Sequence, residues 1–346
     1  MAKFRECVSF DDVLLVPQKS DIESRSEVKL NSEIGKQTFR LPVISSPMDT
    51  VTEEEMAISI TSAGGMGIVH RYNTPVEQAS IVANIRDHFE SENSISANHV
   101  AAAVGATRDL HHRASTLFEA GARIFCIDVA HGHHVLMEKA IKLLKDKFSN
   151  NILVIAGNVA TAEAYVELSE WGADAVRIGI GGGSICSTRL QTGHGVPTLQ
   201  SVFDCAQEPG AAIIADGGIK KAGDIVKALA AGADFAMLGS MLAGTTESPG
   251  ETIVTKEGQT RKVYRGMASV EAQTAWRGQA RSLEGISTTV PFKGPVETVL
   301  NNLERNIKSG LSYSGARCLR ELRGRARFIK QTAASQVESS THILVR

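Results

Sequence analysis

Ala120-Gly-Ala-Arg-Ile-Phe-Cys-Ile-Asp128 recurs, in the same order of residue classes, as Trp171-Gly-Ala-Asp-Ala-Val-Arg-Ile-Gly179 and Ala231-Gly-Ala-Asp-Phe-Ala-Met-Leu-Gly239. In each copy a helix-period segment ends on glycine, the residue that best accepts the left-handed conformation closing a helix, and an apolar strand follows at once. Ser62-Ala-Gly-Gly-Met-Gly-Ile-Val-His70 is a looser fourth copy. Repeated helix-glycine-strand joins imply parallel strands with crossover helices, because a hairpin cannot connect parallel neighbours.

Working outward from these joins, strands are expected at Leu41 to Ser45, Met66 to His70, Val100 to Val104, Ile124 to Val129, Ile152 to Ala156, Ala175 to Ile178, Ala212 to Ala215 and Phe235 to Leu238. Helix-period segments lie between them, among them Pro75 to Phe89, Val135 to Phe148, Ala162 to Leu168, Thr198 to Ala206 and Ala222 to Ala230. Eight such units predict a closed (β/α)8 TIM barrel; an open doubly wound sheet usually stops at about five or six strands. The chain, 1–346, reads as a single barrel domain. After the eighth strand, residues 241–293 are polar and rich in Gly, Thr and Glu, and they read as an irregular mobile flap over the site before a helix at Val296 to Ile307. A disordered linker is the plain alternative, but Tyr264-Arg-Gly-Met267 and Val290-Pro-Phe-Lys-Gly294 are too specific in composition for one.

Apolar residues make up 42%, charged residues 22%, and the net charge is −1, which gives no electrostatic reason to expect nucleic acid or an anionic membrane as partner. The five cysteines are odd in number and scattered, so a reducing, cytoplasmic setting is expected rather than a disulfide framework. Residues 1–20 carry Glu6, Asp11 and Asp12 without an apolar core and cleavage site, and no apolar run reaches the roughly 18 residues of a membrane span.

Chemistry concentrates after the sixth strand, in Gly179-Ile-Gly-Gly-Gly-Ser-Ile-Cys-Ser-Thr-Arg189. Glycine lets backbone approach a ligand closely and costs stability where that freedom is unused. Cys186 stands just past these glycines, where neighbouring N–H groups favour a thiolate, so it reads as a nucleophile; an inert buried thiol is the alternative. In a TIM barrel the reactive groups stand at the carboxyl ends of the strands. Here those ends carry Ser45 to Asp49, His70-Arg71, Asp128 to His131, Gly157-Asn158, Asp216-Gly-Gly218 and Gly239-Ser240. The N–H groups of Gly217, Gly218, Gly239 and Ser240, with the Ser184 hydroxyl, are expected to surround a phosphate, and Asp216 to meet a ribose diol. His131-Gly-His133-His134 invites a metal reading, but no nearby cysteine or carboxylate completes a tetrahedral set. The basic run Arg317, Arg320, Arg323, Arg325, Arg327 and Lys330 reads as solvated surface or a subunit contact.

Gly183-Ser-Ile-Cys-Ser-Thr-Arg189, with Cys126-Ile-Asp-Val-Ala130, Ala156-Gly-Asn-Val-Ala-Thr161, Ala215-Asp-Gly-Gly-Ile219 and Met48-Asp-Thr-Val-Thr52, resembles the family of IMP dehydrogenase and GMP reductase. The likeness runs from Phe10 to Ala316. It implies a TIM barrel, usually tetrameric, in which Cys186 attacks purine C2 and forms a covalent adduct while a nicotinamide cofactor gives or takes hydride. A monovalent cation, K+, is implied at the carbonyls of Gly181, Gly183 and Cys186. The nucleotide site is implied at Ser184, Asp216, Gly217, Gly218, Gly239, Ser240, Gly266, Met267, Ala268, Arg281 and Gly285. The cofactor site is implied at Ser24, Arg25, Arg71, Asp128, Val129, Ala130, Ile180, Gly181, Tyr313, Ser314, Gly315 and Ala316.

Within the family, the stretch from Phe89 to His99 leaves no room for the inserted regulatory domain usual in the dehydrogenases, and no tyrosine lies between Met267 and Glu284 to form their hydrolytic Arg-Tyr pair. Ser24 to Val28, Arg281 before Glu284-Gly285, Val290 to Gly294 and Ser312 to Ala316 are similar to GMP reductase. Tyr264 to Met267, Ser335 to Glu338 and Ile44 to Met48 are similar to the dehydrogenase. The balance implies an NADPH-dependent GMP reductase with Cys186, Thr188 and Glu284 as catalytic residues; an IMP dehydrogenase lacking its regulatory domain is the alternative.

Overall fold

The computed structural model describes residues 4–92, 94, 98–107, 109–281 and 283–339. A short strand β1 (Val13–Leu15) and the hairpin of β2 (Ser32–Ile34) and β3 (Gln37–Phe39) precede eight parallel strands. These are β4 (Val43–Ser45), β5 (Met66–Val69), β6 (Ala101–Val104), β7 (Ile124–Asp128), β8 (Leu153–Val159), β9 (Ala175–Ile178), β10 (Ala212–Asp216) and β11 (Phe235–Leu238). They close into a barrel in sequence order, with β11 pairing back onto β4. All eight expected strands are present, with ends shifted by up to a few residues.

The repeated joins behave as their glycines require. Gly64, Gly121, Gly172 and Gly232 take φ of 86°, 117°, 107° and 119°. In each, the next residue's N–H reaches back to the preceding helix: Gly65 to Ile60, Ala122 to Leu117, Ala173 to Leu168 and Ala233 to Ala228. Two copies add a carboxylate lock. Asp174 accepts from Val154 N at 2.6 Å, and Asp234 from Ile213 N at 2.7 Å, so each carboxylate ties its own strand to the start of the preceding one. Helices begin on matching signals, such as Thr74 before Pro75 with Glu77 bonded back, and Thr161 bonded to Ala164 N.

Two apolar layers result. Ile44, Met66, Ile68, Ala103, Ile155, Ile214 and Met237 fill the barrel, while Val43, Val69, Ala102, Phe125, Val154 and Leu238 pack outward among the helices. The β2–β3 hairpin inserts Ile34 and Phe39 into the inner layer, and Phe39 meets Phe235 edge-on at 5.5 Å. Since Phe235 opens β11 and Gly35 lies against Leu153 at the start of β8, the hairpin plugs the amino-terminal end. The carboxyl end is left for ligands.

The segment 241–293 departs from the irregular flap expected of it. It holds a three-stranded antiparallel sheet, β12 (Thr252–Val254), β13 (Thr260–Arg265) and β14 (Ser287–Pro291), and a helix, Val270–Arg277. Charged residues hid the strand alternation in β13. Lys262 is buried there, its ammonium donating to the carbonyls of Thr245, Thr246 and Ser248 in the loop after β11. Lys293, just past β14, donates to the carbonyls of Ser240 and Met241 at 2.6 and 3.1 Å. A last strand, β15 (Phe328–Lys330), pairs with β1.

Candidate active site

A cavity of about 570 Å³ opens at the carboxyl end of the barrel and under the flap helix. Its sulfur-bearing wall is built by backbone pairing between two distant loops. Ser187 N donates to Glu284 O at 2.9 Å, Ile286 N to Ile185 O at 3.1 Å, and Ser187 Oγ to Leu283 O at 3.0 Å. This pairing lays Glu284 beside the cysteine loop. Cys186 Sγ donates to Thr188 Oγ1 at 3.2 Å, and Thr188 Oγ1 donates to Glu284 Oε2 at 2.8 Å. The three groups form a directed line along which a proton can pass from sulfur to carboxylate.

The glycines before Cys186 make room for this loop. At Gly179, φ is 148° and an added Cβ would lie 1.9 Å from the Asp216 carbonyl oxygen, so only glycine lets the sixth and seventh strand ends cross so closely. Gly217 and Gly218 follow with φ of 93° and 79°. Among the described residues, the N–H groups of Gly217, Gly218, Gly239 and Ser240 have no hydrogen-bond partner. Four such donors at one rim suit an anion. Tyr264 stands among them, its phenol pushed up to about 12 by burial, with the Ser184 side chain acting the other way.

The floor carries a buried cation between two carboxylates. Arg177 on β9 donates to Asp128 Oδ1 at 2.6 Å and to Asp216 Oδ2 at 2.9 Å, and Asn158 Nδ2 reaches Asp216 Oδ2 at 2.8 Å. Two carboxylates hold the Arg177 guanidinium charged against its burial. Over the opposite edge, the Tyr72 and Trp276 rings stack at 4.1 Å and 15°, with the Arg71 and Arg277 guanidinium groups 5.5 and 5.2 Å from the Trp276 ring. Burial raises the Tyr72 phenol. This stack docks the flap helix onto the loop after β5.

Of the residues expected from the sequence, Cys186, Thr188, Glu284, Ser184, Asp216, Gly217, Gly218, Gly239, Ser240, Gly266, Met267, Ala268, Arg281 and Gly285 line this cavity, as do Arg71, Asp128, Val129, Ala130, Ile180, Gly181 and Gly183. The structure does not bring Ser24, Arg25, Tyr313, Ser314, Gly315 and Ala316 there. These six sit together on the outside of the barrel. Gln18 N bonds Tyr313 O at 2.8 Å, Lys29 N bonds Arg317 O at 2.8 Å, and Arg317 pairs with Asp21 and Glu27. His133 bonds Glu167 at 3.1 Å and His134 accepts from Leu136 N at the start of its helix. Among the described residues no group of three or more His, Cys, Asp or Glu side chains is placed to hold a metal ion.

Sequence reading missed Arg177, Tyr72, Tyr264 and Trp276 as wall residues. Tyr264 stands in the stretch Tyr264-Arg-Gly-Met267 already set apart from a linker, and Arg177 left a signal of its own. An arginine inside the apolar strand Ala175-Val-Arg-Ile178 requires buried carboxylate partners.

A family model described as IMP dehydrogenase / GMP reductase domain matches residues 7–342. The chain belongs to this family. It is 33% identical to the inosine-5'-monophosphate dehydrogenase of Nitrosopumilus maritimus (strain SCM1), with 98% of this chain and 99% of the relative covered. It is 31% identical to the GMP reductase of Leishmania donovani, with 97% of each covered. The crystal structure of GMP reductase C318A from Trypanosoma brucei in complex with guanosine 5'-monophosphate superposes with a TM-score of 0.90 at 30% identity, covering 98% of both chains. Family membership makes the chain an oxidoreductase of purine nucleotide metabolism using a nicotinamide dinucleotide. Among the described residues, no helix is long and apolar enough to cross a membrane.

Proposed function

We propose that the chain is a GMP reductase, converting GMP to IMP and ammonia at the expense of NADPH. The observation that carries this reading is the line Cys186–Thr188–Glu284, bonded at 3.2 and 2.8 Å and lying in the cavity wall. Cys186 sulfur adds to purine C2 while its proton moves through Thr188 to Glu284. The same carboxyl group then returns a proton to the 2-amino group, which leaves as ammonia, and a thioimidate remains on sulfur. NADPH, when bound, would supply the hydride that goes to C2, after which the C–S bond breaks, IMP departs and the Cys186 thiolate takes one proton from solvent. No water has to be activated, which fits a flap with no tyrosine between Met267 and Glu284.

The partnerless N–H groups at Gly217, Gly218, Gly239 and Ser240 support a phosphate position there, and the free oxygen of Asp216 a ribose diol. Arg71, Asp128, Val129 and Ala130 supply a carboxylate and a cation for the dinucleotide on the other side of the cavity. The outlying cluster of Ser24, Arg25 and Tyr313 to Ala316 supports a homotetramer in which a neighbouring copy completes the cofactor site; Tyr313 is exposed. For K+, the Gly183 carbonyl accepts from Cys186 N at 3.1 Å and retains a second lone pair for a cation shared with Gly181 and Cys186.

A second reading, IMP dehydrogenase, is favoured by Arg71-Tyr72, an arginine and tyrosine that line the same cavity although they come from a barrel loop. The experiment that separates the two follows absorbance of the reduced cofactor with GMP plus NADPH and with IMP plus NAD. Steady oxidation of NADPH by GMP with release of ammonia is expected. Sustained XMP formation from IMP, with no oxidation of NADPH by GMP, overturns the reductase.

A further inference from the structure

Four successive barrel strands place one polar residue each on the cavity floor: Asp128 on β7, Asn158 on β8, Arg177 on β9 and Asp216 on β10. Their bonds form a single chain. Arg177 Nη1 holds Asp128 Oδ1 at 2.6 Å, Arg177 Nη2 holds Asp216 Oδ2 at 2.9 Å, and Asn158 holds the same Oδ2 at 2.8 Å. The clamp uses one oxygen of each carboxylate. Asp128 Oδ2 lies 3.8 Å from Arg71 Nε, and Asp216 Oδ1 has no partner among the described residues.

We infer that Arg177 is a positioning residue that couples the two ligand positions, so that occupancy of the nucleotide site strengthens binding at the dinucleotide site and the reverse. The inference rests on the proposed function, in which Asp216 faces the nucleotide's ribose and Asp128 the dinucleotide. One buried guanidinium neutralises two half-buried carboxylates, so neither carboxylate can shift without moving the partner it shares with the other. A planar fork offers two prongs in fixed relation, and setting one sets the second. The first ligand to donate to a carboxylate therefore pays for ordering the whole chain of bonds, and the second finds its acceptor already fixed. Such coupling is reciprocal by thermodynamic necessity. The Asn158 side chain bonds Asp216 Oδ2 and the Gly179 carbonyl, and its backbone bonds Val129 and Gly132, so of the floor side chains Arg177 alone bonds both carboxylates.

Calorimetric titration tests this on the intact protein, using GMP and oxidised NADP, a pair with no hydride to exchange. In the wild type, saturating NADP should tighten GMP about tenfold, within the ordinary range of coupling between sites. Arg177→Lys keeps the charge and loses the fork, and the factor should fall below about twofold. If Arg177→Lys does not fold, Asp128→Asn provides the second measurement. Removing the anion at the far end frees the guanidinium to follow Asp216, and GMP affinity measured without dinucleotide should change by about threefold or more. Equal coupling in wild type and Arg177→Lys, or no coupling in the wild type, overturns the inference alone. An unchanged GMP affinity in Asp128→Asn does the same. A wild type that binds neither GMP nor NADP overturns the functional reading and this inference together.

Discussion

Glu284→Gln removes the ionisable end of the proposed relay and little else. The amide oxygen can still accept from Thr188 Oγ1, whose present bond to Oε2 is 2.8 Å, so the backbone pairing of Ser187 with Glu284 and the shape of the wall persist. Because the side chain is only partly buried, the melting temperature should stay near that of the wild type, as for substitutions worth less than about 0.5 kcal/mol. What is lost is the proton. Positioned acid–base groups contribute roughly 10² to 10⁴ in rate, or about 2.7 to 5.5 kcal/mol of barrier. Turnover of GMP should therefore fall by at least about a hundredfold with KM little changed. The assay is steady-state and single-turnover oxidation of NADPH, run with protiated and deuterated cofactor. Slowed ammonia loss masks hydride transfer, so any isotope effect seen in the wild type should shrink toward unity in the variant. Thr188→Ala combined with Glu284→Gln should be no slower than the slower single variant, since a relay is broken only once. A variant with near-normal turnover and an undiminished isotope effect refutes the relay.

Cys186→Ala should abolish turnover yet still bind GMP, and a thiol reagent should label Cys186 in the wild type only when GMP is absent; persistent activity rules out the covalent route. Cys126 and Cys205 should stay unlabelled in the folded protein, since burial pushes their thiols up to about 11 and about 12. Gly218→Val puts a β-branched residue at φ 79° beside the donors proposed for phosphate, so KM for GMP should rise more than the Kd for the dinucleotide. Equal use of guanosine and GMP by the wild type counts against that phosphate position. Alkaline pH should destabilise the fold. Cys126, Cys205, Tyr165 and Tyr264 all have folded values raised, to about 11, 12, 12 and 12, from ordinary values of 9.0 for the thiols and 10.0 for the phenols. The unfolded chain loses these protons first, so their contribution is complete below pH 9 and disappears as pH rises through about 12. The urea midpoint should fall steadily across that window, and a flat midpoint up to pH 11 contradicts the assignment.

The barrel was legible because its signals are local. A glycine at 121, 172 or 232 answers a need of the backbone at that residue, and the apolar strand that follows is contiguous. The reactive end was legible for the same reason, since strand ends can be counted along the chain. The flap sheet was not. Its pairing of Arg261 with Pro291 and Arg265 with Ser287 joins residues across a long loop, and Lys262 points inward to carbonyls that no pattern of side chains announces. Tyr72 and Trp276 meet only once the flap folds over the β5 loop. The family likeness brought Ser24, Arg25 and Tyr313 to Ala316 into the reading, yet within one chain they belong to the far side of the barrel wall.

The two lysines that reach from the flap sheet into the loop after β11 decide how that sheet can travel. Lys262 grips three carbonyls and Lys293 two, and burial lowers both ammonium groups. Pulling β13 free would leave the buried carbonyls of Thr245 and Ser248 without their Lys262 donor, at a cost of about 1–3 kcal/mol for each orphaned group. The loop itself is anchored, because Leu242 and Ala243 are fully buried in the core. The sheet and the rim that bears Gly239 and Ser240 are therefore held in one fixed relation, so the rim's position also sets that of the sheet beside it.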